Sequence, residues 1–276
     1  MRTAPRTGRV RCGDLDVAYD DSGGTGPPVV LVHGGLGNRA MWAPQMRALA
    51  PRLRCIAYDL RGHGETTGGE DVEAFTPALL RDDLLAFADA LGLATFSLVG
   101  LSVGGFVAQE VAIAASHRLD AVVMADTWVV TGASDGERQV GRVLTPLVEG
   151  ALRALGTAPL AYLAARAMGD RDEEARELVR AATAGTRRES AIRVWRGLGA
   201  HDTRSRLGLV RARTLVIVGE RDRNVAQSRL LAALVPGARL VVLPGAGHIT
   251  NLHQPAAFTE AVETFLASTP PSPRSP

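Results

Sequence analysis

Apolar runs of strand length recur along the chain at Val29–His33, Arg54–Leu60, Phe96–Leu101, Leu119–Ala125, Thr214–Gly219 and Leu240–Leu243. Runs that are apolar without alternation are those of strands buried on both faces of a parallel sheet. Between them, Met41–Ala50, Pro77–Leu91, Val103–Ser116, Ala226–Leu234 and Pro255–Ala267 read as amphipathic helices, each able to carry the chain from one parallel strand to the next. Ahead of the first run, Gly8–Cys12 and Leu15–Asp20 alternate and meet at Gly13-Asp14, which predicts a hairpin at an antiparallel edge. The pattern is that of an α/β protein with a mostly parallel, doubly wound sheet.

The strand and helix rhythm stops after Leu119–Ala125 and resumes at Thr214–Gly219. The intervening stretch, Trp128 to Leu207, is rich in Ala, Arg and Leu and shows no strand pattern of its own. It is expected to be a helical insertion, residues 128–207, capping the carboxyl edge of a core made of residues 1–127 and 208–268. The last residues, 269–276, are rich in Pro and Ser and are expected to be disordered.

Composition narrows the function classes. Of 276 residues, 46% are apolar and 22% charged, the balance of a globular protein. The net charge is +2, and every basic residue except the histidines is arginine, because the chain contains no lysine. Schiff-base chemistry, a P-loop lysine and a Ser-Lys dyad are thereby excluded, and any general base is His, Asp or Glu. The arginines are scattered without a basic tract, so a nucleic-acid partner is not expected. Cys12 and Cys55 form neither a disulfide framework nor a metal-ligand cluster, and no metal is expected. The first eleven residues hold no apolar segment of signal-peptide length and no apolar run reaches 18 residues, so the expected location is cytoplasmic, with no membrane partner. The oligomeric state is left open.

Gly100-Leu101-Ser102-Val103-Gly104-Gly105 stands between an apolar strand and an amphipathic helix. That is the setting of a nucleophile elbow, where a serine at the tip of a tight turn needs small neighbours on either side. His33-Gly34-Gly35-Leu36-Gly37 ends the first apolar run, and its glycines would let backbone approach a substrate oxygen. The N–H groups of Gly35 and Val103 are the candidate oxyanion hole, with Leu36 a weaker alternative donor. His248 follows Pro244-Gly245-Ala246-Gly247 after the last strand and is the candidate general base. Asp222, just past Thr214–Gly219, is the candidate acid that would fix its tautomer. Asp126 also ends a strand and is the alternative acid. His33, and the turn Tyr58-Asp59-Leu60-Arg61-Gly62-His63-Gly64, read as structural. Leu36, Trp128 and Trp195 are candidate pocket residues.

With these motifs in place, the chain resembles the α/β-hydrolase superfamily from Arg9 to about Ala267. The stretches His33 to Gly64 and Gly100 to Gly105 are most similar to those of 3-oxoadipate enol-lactonase and related small-ester hydrolases. The resemblance implies a serine hydrolase acting on a small-molecule ester or lactone through an acyl-enzyme, with no cofactor. Thr66, Ala226 and His253 depart from the family pattern, at positions where serine, proline and glutamate are usual. Two other readings stand beside this one. A C–C bond hydrolase or a tailoring esterase of a larger metabolite would use an arginine-rich cap to hold a carboxylated substrate. A ligand-binding receptor could also be built on the same fold.

Overall fold

The computed structural model describes residues 5–69, 71–131, 135–167, 173, 183, 186–199 and 201–268. The expected tail at 269–276, and parts of the expected insertion, lie outside the described residues. The hairpin β1 (Arg6–Cys12) and β2 (Leu15–Asp21) is followed by β3 (Pro28–Val32), β4 (Arg54–Tyr58), a two-residue β5 (Thr67–Gly68), β6 (Phe96–Leu101), β7 (Leu119–Ala125), β8 (Thr214–Gly219) and β9 (Arg239–Leu243). The sheet order is β1-β2-β4-β3-β6-β7-β8-β9, with β5 pairing onto β2. From β4 to β9 every neighbouring pair is parallel, and β1, β2 and β5 make the antiparallel edge.

Alternation along the strands divides the core in two. Val30 and Val32 of β3, Ile56 and Tyr58 of β4, and Val122 and Met124 of β7 face one apolar layer. Val29 and Leu31, Cys55 and Ala57, and Val123 and Ala125 face the other. The first layer is covered by α2 (Pro77–Ala90), α3 (Val103–Ala114) and α7 (Val225–Leu234), through Leu84, Phe87, Phe106 and Leu231. The second is covered by α1 (Ala43–Leu49) and α9 (Pro255–Ala267), through Met46, Leu49, Phe258 and Phe265. Helix α2 starts where Thr76 accepts a hydrogen bond from the Leu79 N–H and Pro77 occupies the first turn.

Between β7 and β8 lie α4 (Asp135–Leu155), α5 (Thr157–Ala167) and α6 (Arg188–Leu198), so the described part of the expected insertion is helical. Its two ends are joined by an isolated antiparallel bridge between Val130 and Asp202. The short α8 (Thr250–His253) leads from the β9 loop into α9. Among the described residues, no helix is long and apolar enough to cross a membrane. Cys12 and Cys55 are both buried without a disulfide.

Candidate active site

Parallel strands end on one edge, and the loops there collect side chains from distant parts of the chain. His33 to Gly37 follow β3, Ser102 follows β6, Asp126 follows β7, Asp222 follows β8 and His248 follows β9. Ser102 turns the chain from β6 into α3 within one residue, at φ 55° and ψ −111°. Such backbone costs on the order of 1–3 kcal/mol and persists only where its surroundings hold it. Here the Ser102 N–H donates to the Ala125 carbonyl at 2.8 Å, and its own carbonyl accepts from Gly105 at 2.9 Å. A Cβ at Gly100 would run into the carbonyl of Gly104, and one at Gly104 into the carbonyl of Val32. The glycine spacing around Ser102 is therefore a steric requirement of the turn.

The structure brings Ser102, His248 and Asp222 together. His248 Nε2 lies 3.1 Å from Ser102 Oγ, and His248 Nδ1 lies 2.8 Å from Asp222 Oδ2. An ionised carboxylate only accepts, so Nδ1 is the donor and the lone pair of Nε2 faces the serine hydroxyl. The other oxygen of Asp222 accepts from the Asn224 N–H at 2.8 Å. Asp222 and His248 are buried, and Ser102 is half-buried.

Asp126 is placed differently. It too has a positive φ, 48°, and no solvent exposure. Its Oδ1 accepts from the Gly219 N–H at 3.3 Å, and its Oδ2 accepts from the N–H and hydroxyl of Thr250 at 2.9 and 2.6 Å. Burial, and then the charge of Asp222, push its carboxyl well above the usual carboxylate range. Thus Asp222 meets the imidazole, whereas Asp126 ties the β8 loop to α8.

Gly35 and Val103 both border the cavity described below, and the Val103 N–H belongs to the first turn of α3, which has no intrahelical acceptor. Two buried histidines fix the Gly34–Gly35 backbone. His33 Nε2 accepts from the Leu60 N–H at 3.0 Å, so Nδ1 carries the proton and donates to the Gly34 carbonyl at 2.8 Å. Burial pulls the His33 imidazole down to about 3. His63 Nε2 lies 2.8 Å from the Gly35 carbonyl and Nδ1 lies 2.8 Å from that of Arg61. In a trans peptide the C=O and N–H point opposite ways, so holding the Gly34 carbonyl also aims the Gly35 N–H. The turn that supplies His63 is itself held by Arg61, which forks onto Asp83 at 2.8 and 2.6 Å and reaches Asp14 at 2.9 Å.

Above Ser102 lies a cavity of about 510 Å³. Leu36, Trp128 and Trp195 line it, and so do Val148, Leu152, Leu160 and Ile249, which sequence reasoning did not single out. Val148 and Leu152 stand four residues apart on one face of α4, but that spacing in the sequence is equally that of a core face. Among the described residues the lining includes no arginine. Arg196 instead forks onto Glu149 at 2.7 and 2.8 Å, Arg188 donates to the Arg153 carbonyl, Arg187 to that of Thr66, and Arg193 lies over the Phe75 ring.

Comparison with known proteins agrees with this architecture. The model of the α/β-hydrolase fold family matches residues 27–255. A 3-oxoadipate enol-lactonase of Acinetobacter baylyi is 29% identical over 262 residues, covering 92% of this chain and 94% of that protein. The crystal structure of an enol-lactonase from Burkholderia xenovorans superposes with a TM-score of 0.80 at 28% identity, covering 95% of this chain and all of that one. A thermophilic esterase from Thermogutta terrifontis gives 0.81 at 27% identity, covering 95% of this chain and 98% of that one. The chain belongs to the α/β-hydrolase fold family. It is a hydrolase, similar to enol-lactonases.

Proposed function

We propose that the protein is a serine hydrolase that cleaves a carboxylic ester or lactone through an acyl-enzyme intermediate. The observation that carries this reading is the unbroken contact series from Asp222 Oδ2 through the His248 ring to Ser102 Oγ. In the first step Ser102 Oγ attacks the carbonyl carbon while His248 Nε2 takes its proton, and Asp222 stabilises the imidazolium. The oxyanion that forms is held by the N–H groups of Gly35 and Val103. His248 returns the proton to the leaving oxygen, giving the acyl-serine. Water, activated by the same imidazole, then releases the acid and regenerates Ser102. Helices α4 to α6 act as a cap over this centre, with Leu36, Trp128 and Trp195 in the substrate pocket.

A fluorophosphonate probe and p-nitrophenyl acetate test the reading. The probe is expected to label Ser102 alone, and Ser102→Ala is expected to lower turnover by roughly 10⁴-fold or more with the fold intact. A folded Ser102→Ala variant that keeps the wild-type rate would remove Ser102 from the mechanism. A wild-type protein that binds esters without turning them over would point to a receptor.

A further inference from the structure

Among the described residues, the cap arginines Arg153, Arg187, Arg188, Arg193 and Arg196 contact protein groups away from the cavity, and the lining they leave is apolar. We propose that the cavity selects neutral esters with a medium-length apolar acyl chain and rejects acyl chains that end in a carboxylate. This inference rests on the serine-hydrolase reading of Ser102 and specifies its substrate class.

Three observations carry it. First, the lining contributed by the helices is aliphatic or aromatic almost throughout. Val148 and Leu152 come from α4, Leu160 and Leu163 from α5, and Val194 and Trp195 from α6. Among the described residues, the polar side chains of the lining are those of Ser102 and His248, which belong to the reacting centre, and Thr183. Second, one charged cluster among the described cap residues is neutralised within the cap. Glu149, on α4, takes both arms of Arg196, from α6, and also Arg153 at 3.4 Å, so this cluster ties the two helices together instead of facing the ligand. Third, two of the lining side chains, Leu163 and Trp195, are 54% and 43% exposed. An apolar chain therefore meets apolar surface from the solvent inward.

The energetics follow from burial. Each methylene taken from water into such a lining is worth about fourfold in kcat/KM, until the cavity is full. A terminal carboxylate would have to shed its hydration against this lining, where no described residue offers a cation. Transfer of a lone charge into such surroundings is among the most unfavourable changes a ligand can undergo. A discrimination of at least about tenfold follows.

The test uses the wild-type protein and three p-nitrophenyl esters: the acetate, the hexanoate, and the mono-p-nitrophenyl ester of adipic acid, which matches the hexanoate in chain length but ends in a carboxylate. The hexanoate is expected to exceed both of the others at least tenfold in kcat/KM. An adipate ester cleaved within tenfold of the hexanoate, or an acetate cleaved as well as the hexanoate, overturns the proposal while leaving the serine-hydrolase reading in place. If no ester is cleaved and Ser102 takes no fluorophosphonate label, the hydrolase reading fails and takes this inference with it.

Discussion

At the scale of single residues, the two aspartates at the sheet edge show how position separates function among like groups. Asp222 and Asp126 each follow a strand, and both are buried. The difference lies in their donors: one accepts from an imidazole, the other from Thr250 and the Gly219 backbone. Asp222→Asn keeps the shape but favours the wrong imidazole tautomer, and kcat is expected to fall on the order of a thousandfold or more at neutral pH. Asp126→Asn is expected to stay within about tenfold. Steady-state kinetics of the two purified variants decide this, and the reverse ranking would move the acid to Asp126. A second consequence concerns stability. The Asp126 carboxyl is raised in the folded protein by burial and by Asp222, so it is neutral in both folded and unfolded chains only below its ordinary value near 4. Above that, the unfolded chain ionises more readily, and folding stability is lost as pH rises. The melting temperature of Asp126→Asn relative to wild type should therefore climb from pH 4 to pH 8. A difference that stays constant with pH would count against this account.

At the scale of elements, what could be read in advance was local. The strand at Phe96–Leu101 announces itself by an unbroken apolar run, and the turn after it by glycines at Gly100 and Gly104, because the constraints that require those residues act within a few positions of Ser102. The sheet and the residues at its carboxyl edge were legible for that reason. The two-residue β5 was not, since its pairing with Leu15 and Asp16 is a tertiary event without a pattern of its own. Nor was the direction taken by the cap arginines: whether Arg196 faces a ligand or Glu149 depends on how α4 and α6 lie against each other, which neither helix encodes alone. The same reasoning yields two expectations. Gly104→Ala drives a methyl group at the Val32 carbonyl and should cost about 1–3 kcal/mol, seen as a lower denaturant midpoint. A variant as stable as wild type would show that the turn can relax. By contrast, Glu149→Gln breaks a pair whose Arg196 partner is 41% exposed in its side chain. Exposed pairs of this kind are screened by solvent and contribute little, so thermal unfolding should change little.

For the molecule as a whole, buried imidazoles set the response to acid. Burial holds His33 at about 3 and His201 at about 4. In the unfolded chain both take a proton near pH 6.5, so the unfolded state binds more protons below that pH and stability falls as the solution is acidified. Between pH 7.5 and pH 5 each group accounts for about 2 kcal/mol of that loss. Asp126 acts in the opposite sense over the same range, and the two contributions partly offset. Replacing His201, whose ring packs 4.2 Å from that of Phe106, by Gln isolates one of them. Denaturant unfolding at the two pH values should show the variant losing about 2 kcal/mol less than wild type; equal losses would mean that His201 is already charged in the folded state.

The cavity has a last consequence, which concerns the end of the reaction and not its beginning. On the serine-hydrolase reading, hydrolysis turns a neutral ester into a carboxylate at Ser102, so the ligand acquires at the moment of cleavage a charge inside a cavity whose described lining beyond Ser102 and His248 is almost wholly apolar. On the same reading the gain from apolar burial is offset in the product by the cost of holding its charge, so the water that restores Ser102 also favours release of the acid. Hexanoate should accordingly be a feeble inhibitor at pH 8, tightening as acidification returns it to its uncharged form, and the enzyme should run in the hydrolytic direction with little product held behind.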